Sequence, residues 1–283
     1  MSKAFAPSKH LGMDAITISA PDGARATVML QGGHVVSWQP AGGAEQLYCS
    51  PTAVFAHGKA VRGGIPVCFP QFGPRGPLPQ HGFARTLPWQ LVMAEQGKDD
   101  ALCVLRLADS DATRKIWPHA FVLELTVRIS GRRIDLELAC ENTGEQPLEF
   151  MAALHSYLRL EDLTDARLHG LQGLSFEDMV AGKKDQVETA DALRVSGEVD
   201  RLYAHATRAL MLREPKHAVR IEQEEFTDVV VWNPWSDRCV ALPDMPDDDY
   251  HQMLCVEAAR INVPVRLAPG EEWAGRQSLS LDT

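Results

Sequence analysis

Phe121-Val-Leu-Glu-Leu-Thr-Val-Arg-Ile129, answered after Gly131 by Ile134-Asp-Leu-Glu-Leu-Ala-Cys140, decides the fold class. Alternation with period two sends successive side chains to opposite faces of an extended strand, and over this many residues it excludes an amphipathic helix. Upstream, the run from Ala15 to Pro40 breaks short β-branched stretches with Pro-Asp-Gly and Gly-Gly, the form of hairpins. Trp89–Ala94 and Ala101–Leu107 repeat the pattern, and so do segments at 147–160, 207–213, 217–223, 228–232, 263–267 and 272–281. Residues 108–121 are a polar excursion ending in Trp-Pro-His-Ala-Phe, and no segment reads as a helix longer than a turn or two. Many antiparallel strands with no helices to cover a parallel sheet predict an all-β fold, a large antiparallel β-sandwich or a barrel.

The 283 residues, 45% of them hydrophobic, suffice for a large core. No linker, repeat or charge block divides them, so one domain over 1–283 is expected. The start, MSKAFAPSKHLG, has no apolar signal-like region, and no run of about 18 apolar residues follows, so neither export nor a membrane partner is expected. Six cysteines without a CxxC pair read as free thiols in a reducing, cytoplasmic compartment. The formal charge of −10 argues against nucleic acid, which needs a basic face, yet it allows an anionic metabolite met by a local cationic cluster.

Such a cluster is offered by the stretch Lys59-Ala-Val-Arg62-Gly-Gly-Ile-Pro-Val-Cys-Phe-Pro-Gln-Phe-Gly73, continued by Leu78-Pro-Gln80-His81-Gly-Phe-Ala-Arg85. Proline fixes φ and glycine permits φ > 0, so the run predicts a structured loop, anchored by Ile65, Val67, Phe69, Phe72 and Phe83. Arginines held on a rigid path suit anions, since their planar forks match phosphate or carboxylate, whereas a plain surface loop would carry them for solubility. Further on, residues 147–160 read as a strand with His155 and Tyr157 on its mixed face, and Tyr250–Ala259 is an apolar strand with one carboxylate, Glu257. A lone histidine is commonly structural, and Glu257 has Arg260 nearby as an ordinary partner. If it has none, burial should raise its pKa.

The loop as a whole, VRGGIPVCFPQFGP followed by LPQHGFAR, resembles the signature of the hexose-6-phosphate mutarotases, a branch of the aldose 1-epimerase family. Later segments extend the resemblance over nearly the whole chain: ALHSYL at 153–158, GEVDRLY at 197–203, VVVWNPW at 229–235, Asp244-Met, and MLCVEA at 253–258. It implies a sandwich of the galactose-mutarotase type with its site on a concave face. It also implies interconversion of the α and β anomers of a hexose 6-phosphate, glucose 6-phosphate in the first instance. His155 then matches the general acid and Glu257 the base, Arg62 and Arg85 hold the phosphate, and Gln80 and Asp200 hold hydroxyls. His81 either touches the sugar or orients the loop and Arg85. An imidazolium at His155 facing a carboxylate at Glu257 is the expected starting state, with an optimum near neutrality. Ser156, Leu158, Phe176 and Val199 depart from the family's threonine, phenylalanine, tyrosine and threonine.

No HExxH, HxH or acidic cluster appears, so no metal or other cofactor is expected, and no GxSxG, Walker or GxGxxG motif supports a hydrolase, NTPase or dinucleotide enzyme. A monomer acting on a small-molecule sugar phosphate is the expectation. Its rivals are a non-catalytic sugar-phosphate binder, which needs no acid–base pair, and a mutarotase of unphosphorylated aldoses, which needs no paired arginines.

Overall fold

In a computed structural model that describes residues 3–5 and 7–282, the alternating runs pair as their periodicity requires. Part of the polar start read above, Met1, Ser2 and Ala6, lies outside those residues, as does Thr283. Phe121–Ser130 lies antiparallel to Arg133–Asn142, with Leu125 opposite Leu138 and Ile129 opposite Ile134. Ala101–Ala108 and Glu272–Asp282 flank this hairpin at the centre of a ten-stranded sheet. The apolar positions Leu123, Leu125, Val127, Leu136 and Leu138 all point to one fully buried face, as a period of two demands.

That face packs on a second, eight-stranded sheet, giving the two stacked antiparallel layers of a sandwich. A four-stranded sheet, Ser8–His10, Met13–Ser19, Arg25–Met29 and His34–Gln39, carries the N-terminal hairpins. The main core joins both layers and runs from Ile16 to Leu279. The described helices are short: Asp111–Ile116, with a Ser110/Thr113 capping box, Trp235–Val240, and two 3₁₀ turns. None is long and apolar enough to cross a membrane.

The second sheet positions the site because both of its faces are covered. In its long strand Met253–Leu267, the side chains of Leu254, Val256 and Ala258 enter the main core. Cys255 and Ala259, on the other face, belong to two smaller clusters with Tyr157, Met253, Phe72 and Val230. Glu257 shares their parity and so lies outside the core, on the face the loop 59–85 covers.

The loop is ordered by its glycines and its anchors. Ile65, Val67 and Phe69 are fully buried, and Phe72 and Phe83 nearly so. Gly64 has φ +65°, and a Cβ there would stand 2.2 Å from the Val35 carbonyl oxygen, so the close approach requires glycine. Its N–H donates to the Tyr48 carbonyl at 2.7 Å, while Ile65 N–H donates to Val35 at 2.8 Å. The Phe69–Pro70 bond is cis.

Candidate active site

One strand register builds the centre of the site. Leu148–Leu154 and Tyr157–Arg159 both pair antiparallel with Met253–Leu267, with Leu154 opposite Ala258 and Tyr157 opposite Cys255. The intervening step, Val256 N–H donating to the Ser156 carbonyl, keeps the register through the break between the two short strands. His155 therefore faces Glu257 as a cross-strand neighbour. On the other side Val230 is opposite Glu257, and one strand further Asp200 is opposite Trp232. Four side chains from three adjacent strands, Glu257, Val230, Trp232 and Asp200, thus pave one floor.

Above the floor lies a cavity of about 280 Å³, walled by His155, Tyr157 and Arg62 on one side and by residues 72–81 of the loop on the other. His155 Nε2 stands 3.3 Å from Glu257 Oε1, the two side chains being 10% and 1% exposed. Neither carboxylate oxygen of Glu257 nor the Nδ1 of His155 has a hydrogen-bond partner, although all three atoms are buried. The alternative partner, Arg260, donates instead to Thr227 Oγ1. Two buried polar groups left unmatched cost free energy in the empty molecule, which hydroxyls of a ligand would recover.

Burial also sets their protonation. It pushes the Glu257 carboxyl well above the usual carboxylate range, with Asp200 adding to the rise and Arg85 opposing it. It pushes the His155 imidazole well below its ordinary value, with His81, Arg85 and Arg62 reinforcing the fall. Desolvation thus works against the expected imidazolium–carboxylate, because it disfavours both charges. A neutral imidazole beside a protonated carboxyl holds the same single proton as that ion pair, so the pair carries one proton between two acceptors. Asp200 is raised to about 6, by burial first and by Glu198 second.

The rim is cationic and already engaged. Arg62 donates from Nε and Nη2 to Asp244 Oδ1 at 3.3 and 3.2 Å and from Nη1 to the Tyr157 hydroxyl at 3.2 Å, with Trp232 beneath it at 5.9 Å. Two arginines that the sequence reading did not single out also line the cavity: Arg75, bound to Glu177 at 2.6 Å, and Arg238, 3.8 Å from Glu198. Arg75 lies inside the proline–glycine loop, between its two quoted halves, and that position was the available signal. Gln71, buried beneath it, fixes the turn by donating to the Gly73 and Leu78 carbonyls and accepting from Leu78 N–H.

Arg85 and Lys59 do not line the cavity. The Arg85 guanidinium donates to the Gln80 carbonyl at 3.0 Å, bracing the loop from behind. Gln80 and His81 do reach the lining. His81 has φ +64°, with its Nδ1 3.4 Å from the Gly73 nitrogen and 3.3 Å from Cys68 Sγ, and its Nε2 3.5 Å from the Gln80 side-chain nitrogen. Burial lowers its pKa to about 3, so it is neutral. It thus supports the loop and meets the cavity at once.

A cross-strand histidine–glutamate pair on a two-layered antiparallel sandwich has relatives. Residues 14–280 match the profile of the aldose 1-epimerase family. The chain belongs to the aldose 1-epimerase family. A protein of Cenchrus ciliaris, provisionally named a glucose-6-phosphate 1-epimerase, is 37% identical over 95% of this chain and 85% of its own. One of the same provisional name from Escherichia coli K12 is 36% identical over 87% and 83%. Among solved structures, a provisionally named mutarotase, YeaD of Salmonella typhimurium, superposes with a TM-score of 0.91 at 30% identity, covering 99% of this chain and 94% of its own. The chain is therefore an aldose 1-epimerase-family enzyme of anomer interconversion. Its four departures from the family's motifs, Ser156, Leu158, Phe176 and Val199, all fall outside the cavity lining. Phe176, for example, lies under the Arg201 guanidinium at 4.6 Å.

Proposed function

We propose that this aldose 1-epimerase opens and recloses the ring of glucose 6-phosphate, with His155 and Glu257 as its acid–base pair. The observation that carries the reading is the contact between those two side chains, buried and without hydrogen-bond partners on the cavity floor. One group takes the proton from the C1 hydroxyl. The C1–O5 bond breaks with its electron pair passing to O5, which receives the proton from the other group, and C1 becomes a carbonyl. Rotation about C1–C2 presents the opposite face, and closure runs the transfers backwards. The pair begins and ends with one proton, so no other donor is required. Sugar hydroxyls donating to Glu257 favour its carboxylate form and move the proton to His155, which makes Glu257 the base and His155 the acid for opening.

The phosphate is assigned to the cationic rim. Arg62, fixed by Asp244 and Tyr157, is its first contact, and Arg75 its second from the facing wall. Gln80, His81 and Asp200 meet the hydroxyls, and Arg85 holds Gln80 in place. A remote anchor of this kind orients the ring between acid and base. All of these groups but Arg85 line one cavity over one continuous core, which supports a single domain. The six free thiols suit a reducing cytoplasm, and the charge of −10 disfavours nucleic acid.

Saturation-transfer NMR of anomer exchange tests the reading. Wild type should accelerate glucose 6-phosphate far more than glucose, and His155→Ala or Glu257→Gln should each cost about 10²–10⁴-fold. Tight binding of the sugar phosphate without faster exchange would make the protein a binder instead.

A further inference from the structure

The same register that pairs His155 with Glu257 places a thiol beside them. Cys255 precedes Glu257 by two residues on Met253–Leu267, so both side chains leave the strand on one face, and Cys255 is opposite Tyr157, two residues after His155. One donor atom from each of His155, Cys255 and Glu257 lies within 4.8 Å of the others. Spacing along the chain conceals this set, because the histidine and the other two donors lie on different strands.

Two features fit the set to a cation. The Glu257 oxygens and His155 Nδ1 are buried and have no hydrogen-bond partner. The donor types, imidazole, thiolate and carboxylate, suit a borderline-soft divalent ion of the zinc type. With both acids deprotonated, Zn²⁺ balances one thiolate and one carboxylate, leaving a neutral centre. That is the charge state a buried site tolerates best. Zinc donors sit about 2.0–2.3 Å from the ion, so the three side chains must draw together by rotation about their own χ angles. His155 and Glu257 line the cavity, so water reaches that side of the set.

We infer that His155, Cys255 and Glu257 form an inhibitory site for Zn²⁺ or a similar thiophilic divalent cation, which switches the enzyme off by occupying its acid–base pair. The inference shares that pair with the proposed function, but its decisive test needs no substrate. Binding releases the thiol proton and the one proton of the pair, and no redox step is involved. The metal is an inhibitor here and has no part in turnover.

The experiment titrates chelator-stripped protein with Co²⁺ as a spectroscopic probe. The expected result is one equivalent bound, with a near-ultraviolet thiolate-to-cobalt band and visible bands of tetrahedral strength, both displaced by Zn²⁺. Cys255→Ala should lose the thiolate band. In anomer exchange, Cys255→Ala should keep its metal-free rate but need at least about 10–100-fold more Zn²⁺ for half inhibition, since loss of an outer-shell partner alone costs a metal site that much. Cys255→Ser, closer in volume, serves if the alanine variant does not fold. Absence of the thiolate band in wild type, or equal Zn²⁺ sensitivity of wild type and variant, overturns the site. If the band appears but neither protein accelerates exchange, the metal site stands and the catalytic reading fails.

Discussion

Ser156 donates its hydroxyl to the side-chain oxygen of Gln277 at 2.5 Å, deep in the interface between the two sheets, where both residues are fully buried. The Gln277 amide nitrogen donates in turn to the Val256 carbonyl at 3.1 Å. A single side chain from the larger sheet thereby ties the residue after His155 to the residue before Glu257. Gln277 is thus a positioning residue. Gln277→Leu is expected to lower kcat for the sugar phosphate by up to about 10²-fold, since misplacement of acid and base by an ångström has that effect. KM should stay close to wild type, because the cavity rim is untouched. A proportional rise in KM, or unchanged kcat, would show that the bridge only stabilises the core.

The one-proton pair predicts an unusually wide pH plateau. On the acid side, activity is lost when the pair gains a second proton, below the depressed His155 value and therefore below the ordinary imidazole value of 6.5. On the alkaline side it is lost when the last proton leaves, above the elevated Glu257 value. The profile is measured as kcat/KM, which reports the free enzyme, with spontaneous exchange subtracted and the substrate phosphate's own second ionisation near pH 6 accounted for. A limb centred at 6.5 would contradict the burial argument.

The strands were legible because period two survives in each run: Phe121–Ser130 and Arg133–Asn142 are bounded nearly as their alternation suggests. The parity of residues 148–160 likewise placed His155 and Tyr157 together on the cavity side. The partner of that strand was not legible. Nothing local states that residues near 155 meet residues near 257, since pairing across about a hundred residues depends on the packed sheet. For the same reason Cys255 and Gln277 went unseen. An arginine in a loop declares its charge in sequence but not its direction, and only folding shows that Arg62 faces the cavity while Arg85 faces the Gln80 carbonyl.

The arginines separate by the kinetic constant they control. Arg62→Ala and Arg75→Ala should each raise KM for glucose 6-phosphate by about tenfold to a hundredfold, the scale of one hydrogen-bonded charge contact. The slow exchange of free glucose should be unchanged by either. Arg85→Ala acts through the loop and through the charge it places near the pair, so it should lower turnover of both sugars together. Measuring KM and kcat for both substrates across the three variants decides this. If Arg85→Ala behaves as Arg62→Ala does, the guanidinium reaches the phosphate after all.

Glu257→Gln should slow exchange by about 10²–10⁴-fold and yet raise stability. The carboxyl is buried without a partner and its pKa is raised in the folded protein. A group raised on folding supports the native state below its unfolded value, about 4.5, and that support is lost as pH climbs towards the folded value. Glutamine has the same shape and never ionises, so it escapes the loss. The variant should therefore unfold at higher denaturant concentration than wild type near neutrality, by about 1–3 kcal/mol, the scale of a relieved buried polar group. The gap should widen from pH 5 to pH 8 and shrink towards pH 4. Chemical denaturation of both proteins across that range is the check. A variant that is less stable throughout would mean that Glu257 holds a favourable ion pair with His155, and that the proton of the empty site rests on the imidazole.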